Sequence, residues 1–157
     1  MTQFHDLYQR YAPDVYRFAF WLAGDAHDAE EITAETFARA FTARDKIQSA
    51  TVKGYLLTCA RNVYLESKRK RRVQVELDAE LADPAQRHDH RTEQRDEIRA
   101  VMGRLKLLPA EDRDALLLRA DGLSYDEIAT ALKITLTSAK VKVHRARAKL
   151  LKWREGL

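Results

Sequence analysis

This 157-residue chain contains one cysteine, three prolines and five glycines. The single Cys59 cannot close an internal disulfide, and its neighbours Leu56, Leu57 and Ala60 predict a small buried residue, not a redox-sensing thiol. Alternating β-branched runs are missing and helix breakers are few, so the expected fold class is all-α. No apolar stretch nears the length that spans a bilayer; Phe18 to Ala23 is among the longest. No basic, apolar leader opens the sequence, which sets a cytoplasmic location as the expectation. There is no glycine-rich phosphate loop, no paired metal ligands and no nucleophile–base constellation, so neither an enzyme nor a metal or cofactor site is expected. His88 and His90 lack cysteines or carboxylates at ligand spacing and read as solvated residues.

What the chain does have is segregated charge. At 45% apolar and 33% charged residues it is foldable into one domain or two small ones. The net charge is +4, and its placement says more than its size. Lys133 to Arg154 carries eight basic residues and no acidic one. Lys68-Arg69-Lys70-Arg71-Arg72 makes a second basic block, and Val75 to Glu97 is mainly acidic. Against this, "DAHDAEEITAETFARAF" places Asp25, Asp28, Glu30, Glu31 and Glu35 beside a single Arg39.

Helical periodicity covers both ends of the chain. Phe4, Leu7, Tyr8 and Tyr11 predict a first helix, and Pro13 suits the first turn of a second that carries Val15, Tyr16, Ala19 and Leu22 and stops at Gly24. Asp25 can cap a third, the acidic one. A fourth is expected from about Val52 to Arg72, with Tyr55, Leu56, Cys59, Val63 and Leu65 inward. The pattern then fails across a polar stretch containing Asp83-Pro84 and returns at Ile98. Two helical domains, residues 1–72 and 98–157, joined by a flexible linker over 73–97, are the expected organisation.

The sharpest motif is "GLSYDEIATALKITLTSAKVKVHRARAKLLKW". Ser124-x-x-Glu127 is a capping box after Gly122, and Thr137 or Ser138 can cap a second helix one turn after Leu132. Two short helices with a tight turn, the second cationic, form a helix-turn-helix. Ala139, Val143, Ala146, Leu150 and Trp153 share the core side of that second helix. The other side presents Thr137, Val141, His144, Arg145 and Lys152, flanked by Lys140 and Lys142. Long cations can reach phosphates, Arg145 a guanine edge and Val141 a thymine methyl. On the acidic helix, Asp28, Glu31 and Glu35 line one edge, where like charges repel one another and DNA would repel them. That edge expects a basic protein surface.

"LKLLPAEDRDALLLRADGLSYDEIATALKITLTSAKVKVHRARAKL" resembles region four of the extracytoplasmic-function (ECF) sigma factors, which reads the promoter −35 element. "DAEEITAETFARAF" resembles that family's polymerase-binding helix, and "GYLLTCARNVYLESKRKRR" its −10-reading helix. The family commonly has glycine where this chain has Lys133 and Thr137, so the turn is expected to use ordinary dihedrals. The resemblance implies binding to RNA polymerase core, through its β′ clamp helices, and promoter-specific initiation. It implies −35 contacts from Thr137, Ser138, Lys140, Val141, Lys142, His144 and Arg145. It implies a −10 pocket from Ala43, Ile47 and Asn62, with Lys53, Arg61, Lys68, Arg69, Lys70 and Arg71 on phosphates. The core-binding set is Asp28, Glu31, Ile32, Glu35 and Phe37, and a possible further partner is an anti-sigma factor. A stand-alone helix-turn-helix repressor would account for the second domain but not for the acidic helix, and an adaptor bound to a regulator is a third reading.

Overall fold

The computed structural model describes residues 3–42, 49–77 and 96–155. Among the described residues there are seven helices. The first unit comprises α1 (Gln3–Ala23), α2 (Ala26–Thr42) and α3 (Val52–Leu77); the second comprises α4 (Asp96–Leu107), α5 (Ala110–Ala120), α6 (Tyr125–Leu132) and α7 (Leu136–Glu155).

The two helices expected around Pro13 are one. An interior proline forfeits a hydrogen bond and costs about 3 kcal/mol. The apolar stripe, however, continues across it without a change of phase. Before it, Phe4 meets Phe37 and Phe41 at centroid distances of 6.4 and 4.6 Å, and Tyr8 meets Phe37 at 4.9 Å. After it, Val15, Phe18, Ala19 and Leu22 are buried. Each large side chain buried contributes about 1.5–3 kcal/mol, so several together outweigh the proline.

Gly24 ends α1 with φ +76° and donates its N–H to the Phe20 carbonyl at 2.8 Å. Asp25 then caps α2, as expected, accepting from the Asp28 N–H at 3.0 Å. On the buried side of α2, the Thr33 and Thr36 hydroxyls donate to the Ala29 and Ile32 carbonyls at 2.7 Å, which satisfies both inside the bundle. α3 contributes Leu56, Leu57, Cys59, Ala60 and Val63 to the core. Cys59 is buried, with its sulfur 3.9 Å from the Thr36 carbonyl oxygen. Leu65, expected inward, is 40% exposed because it falls off the stripe set by the others. α3 also runs on to Leu77, through residues expected in the linker.

The second unit packs α5 and α6 on α7 around Leu118, Leu123, Ile128 and Val143. The predicted capping box is present: the Glu127 N–H donates to Ser124 Oγ and the Ser124 N–H to Glu127 Oε1, both at 3.1 Å. α6 ends on Lys133 at φ 58°, ψ 47°, so the turn keeps a left-handed residue and a lysine occupies it. The expectation of ordinary dihedrals there is corrected: the α6–α7 turn needs this conformation whichever side chain is present. The cap of α7 is Thr135, not Thr137 or Ser138, since the Ser138 N–H donates to Thr135 Oγ1 at 3.0 Å. A cap residue stands before the first helical residue, and α7 already begins at Leu136.

A candidate nucleic-acid and polymerase interface

Three surfaces gather the residues singled out in the sequence. The first is the outer side of α7. Ala139, Val143 and Ala146 are fully buried beneath it, while Thr137, Lys140, Val141, His144 and Arg145 are exposed. Ser138 and Lys142 are half-buried, and Lys142 Nζ lies 3.2 Å from Glu111 Oε1. Two residues to which the sequence reading gave no binding role organise this face. Tyr125, at the start of α6, lies under the Arg119 guanidinium at 4.5 Å and the Lys140 ammonium at 6.0 Å, and stacks with His144 at 6.4 Å. Asp112 of α5 holds Arg145 through two hydrogen bonds. Arg145 therefore reaches the surface already engaged. Its guanidinium holds the Asp112 carboxyl below the usual carboxylate range.

The second surface lies along α3. Lys68, Arg69 and Lys70 are exposed, and Lys68 Nζ sits 5.8 Å over the Tyr64 ring. Asn62 is half-buried. Lys53 Nζ is 3.9 Å from Asp14 Oδ2. Arg61 is turned toward the second unit: its side chain is 12% exposed, and Nε donates at 2.8 Å to Asp114, whose own side chain is 1% exposed. Ala43 and Ile47 lie outside the described residues, as do His88 and His90.

The third surface is a groove of about 810 Å³ between α2 and α3, lined by Asp28, Glu31, Glu35, Arg39, Glu66 and Arg71 among others. Its acids differ in availability. Glu31 is the open one, 64% exposed, with His27 Nε2 at 3.7 Å. Glu35 accepts from Arg39 Nε at 2.9 Å, and Arg39 also grips Glu66 at 2.8 and 2.9 Å. That grip holds the Glu66 carboxyl below its ordinary range. Asp28 is paired with Arg71, so one expected polymerase contact neutralises one expected phosphate contact. Ile32 and Phe37, named with the core-binding set, are buried inside the bundle, where the apolar side of an amphipathic helix belongs. Ile32 also lines the groove itself.

The two units also touch. Arg17 donates to Asp121 Oδ1 at 2.5 and 3.2 Å, Arg61 to Asp114, and Thr51 and Ser49 to Glu127 Oε2. Burial pushes the Glu127 carboxyl up, and the hydrogen bonds from Thr51, Ser124 and Ser49 outweigh it, leaving it below the usual range. Among the described residues no helix is long and apolar enough to cross a membrane.

Comparison with known proteins places the chain in a family. The family model of Sigma-70 region 2 matches residues 7–73, and that of Sigma-70 region 4 matches residues 98–150. The chain is 35% identical over 156 residues to the ECF RNA polymerase sigma factor SigE of Mycolicibacterium smegmatis, covering 96% of this chain and 61% of that protein. It is 32% identical over 152 residues to the ECF RNA polymerase sigma factor SigM of Bacillus subtilis, covering 92% and 91% of the two chains. Among solved structures, the sigma factor RpoE of Bartonella quintana, crystallised with the anti-sigma factor NepR, matches at TM-score 0.77 and 24% identity over 99% of this chain and 98% of that one. CnrH, in complex with the cytosolic domain of CnrY, matches at TM-score 0.73 and 21% identity, over 98% and 88%. At those identities the two structures speak to the fold, while the near full-length match to SigM speaks to descent. The chain belongs to the extracytoplasmic-function sigma factors of the sigma-70 family.

Proposed function

We propose that the protein binds RNA polymerase core enzyme and directs it to promoters carrying its own −35 and −10 elements, as a non-catalytic initiation factor of the cytoplasm. The observation that carries this reading is the presence of both sigma-70 regions, in order, on one chain that aligns along nearly its whole length with an ECF sigma factor. In this reading residues 1–72 form the core- and −10-binding domain, 73–97 the linker and 98–157 the −35-binding domain. The exposed side of α7 enters the major groove, where Lys140 and its neighbours hold phosphates and Arg145 and Val141 meet base edges.

Asn62, with the segment around Ala43 and Ile47, receives an unpaired −10 base, and Lys68 to Arg71 hold the strand. Arg61 joins them by exchanging the Asp114 carboxylate for a phosphate. Glu31, with Glu35 and Asp28 beside it, meets the basic clamp helices of the β′ subunit. An anti-sigma protein is proposed as a further partner; the RpoE structure of the same fold was determined with one.

The test is transcription in vitro from a promoter library with added core enzyme, beside co-purification with that core. The Glu31→Lys substitution, on an open side chain, is expected to weaken core binding about tenfold at low salt and less at higher salt, while helical content stays unchanged. A chain that purifies as a free dimer, ignores core enzyme and binds only duplex DNA would be a repressor.

A further inference from the structure

The expected base reader on α7 is not a loose side chain. Arg145 Nε donates to Asp112 Oδ2 at 2.6 Å and Nη2 donates to Oδ1 at 2.9 Å. The partners differ sharply in setting. The Asp112 side chain, in the first turn of α5, is 1% exposed, and that of Arg145 is 48% exposed. One end of the pair is rooted in the interior and the other emerges at the surface.

The two-point grip consumes the side edge of the guanidinium, formed by Nε and one Nη. It leaves the end edge, where the two Nη groups meet. That edge is the fork that matches the O6 and N7 acceptors of guanine in the major groove. Lys142 closes the same cluster, 3.9 Å from Asp112 Oδ1 and 3.2 Å from Glu111 Oε1, which seats α7 on α5 beside the pair.

We propose that Asp112 is a positioning residue for base recognition, fixing Arg145 so that its end edge meets one base and not any nearby phosphate. An unheld arginine chooses among many rotamers and finds phosphate on every sequence. One held by a bidentate carboxylate presents its remaining donors at one depth and angle. The inference rests on the reading of α7 as the helix in the groove.

Holoenzyme, reconstituted from the full chain and core enzyme, can be made to select from promoter duplexes randomised across the upstream element. Arg145→Ala locates the base that Arg145 reads, as the position whose preference disappears. Asp112→Asn keeps the size and removes the charge. It is expected to lose about tenfold of the preference at that same base. Its affinity for an unrelated duplex should be unchanged or higher, since the chain has become more positive.

In the double variant no further preference should be lost. A mere strut would behave differently: Asp112→Asn would lower Tm and weaken every sequence alike, with the preference intact, and this result would overturn the proposal. So would a sharpened preference, which would mean that Asp112 withholds Arg145 from DNA. Should Asp112→Asn fail to fold, Arg145→Lys carries the test. It keeps the charge but cannot be gripped on two nitrogens, so it should lose the same preference, and an unaltered preference would again overturn the proposal. If the wild type itself enriches no upstream sequence, the groove reading of α7 has failed, and the inference falls with it.

Discussion

Glu66 shows what one arginine can do to one carboxylate. Arg39, reaching across from α2, lowers the acid's affinity for a proton, and Lys70 and Arg69 add to the effect. The sign follows from linkage. A carboxyl whose pKa is depressed by folding contributes stability that is complete above its unfolded value, about 4.3, and is lost as pH falls below that value through the folded one. Glu66→Gln should therefore destabilise the chain at neutral pH and make little difference near pH 3; urea melts at the two pH values check this. Partial exposure of the pair keeps the effect modest. Such pairings were the least legible part of the sequence. Arg145 and Asp112 lie 33 residues apart, and Arg61 and Asp114 lie 53 apart. Nothing in a charge count says which acid a given arginine will meet, so both arginines read as unengaged cations awaiting DNA.

Secondary structure was legible where its determinants are local. Asp25 and the Ser124–Glu127 box act over three residues, and both caps form as read. The apolar side of α7 follows from spacing alone. Pro13 and Lys133 mark where local reading failed, for opposite reasons. At Pro13, packing against α2 overrides a strong local preference. At Lys133, the chain's path imposes a conformation that its side chain resists. A non-glycine residue in the left-handed region costs about 1 kcal/mol. Lys133→Gly is thus expected to stabilise the protein by roughly 0.5–1 kcal/mol, less what the unfolded chain gains in freedom. Ser124→Ala should cost about 1 kcal/mol. Chemical denaturation of the two variants against wild type reads both; a destabilised Lys133→Gly would mean that the lysine does more at that turn than bear it.

For the whole molecule, the two units dock through polar pairs, Arg17 with Asp121, Arg61 with Asp114, and Thr51 and Ser49 with Glu127, beside a core that runs through both and the Arg113 guanidinium 5.8 Å over the Tyr64 ring. A hydrogen bond of this kind contributes about 0.5–1.5 kcal/mol, more with a charged partner. Removing two of them by Arg17→Ala with Thr51→Ala should shift the free chain toward more extended forms, measured as a larger radius of gyration by X-ray scattering, with helical content retained. An unchanged scattering profile would show that other contacts carry the docking. The polar part of the seam was not readable from the sequence, because single arginines and threonines form it and each meets an acid far along the chain.

Glu127 sits at that seam and divides its work between two oxygens. Oε1 accepts from the Ser124 N–H and hydroxyl within the turn, while Oε2 accepts from Ser49 and Thr51 across the gap. Parting the units therefore strips one oxygen and leaves the other in place. In the proposed function, the second unit could part from the first without fraying at the point where it was fastened, so engagement of DNA and integrity of the helix-turn-helix would not be traded against each other.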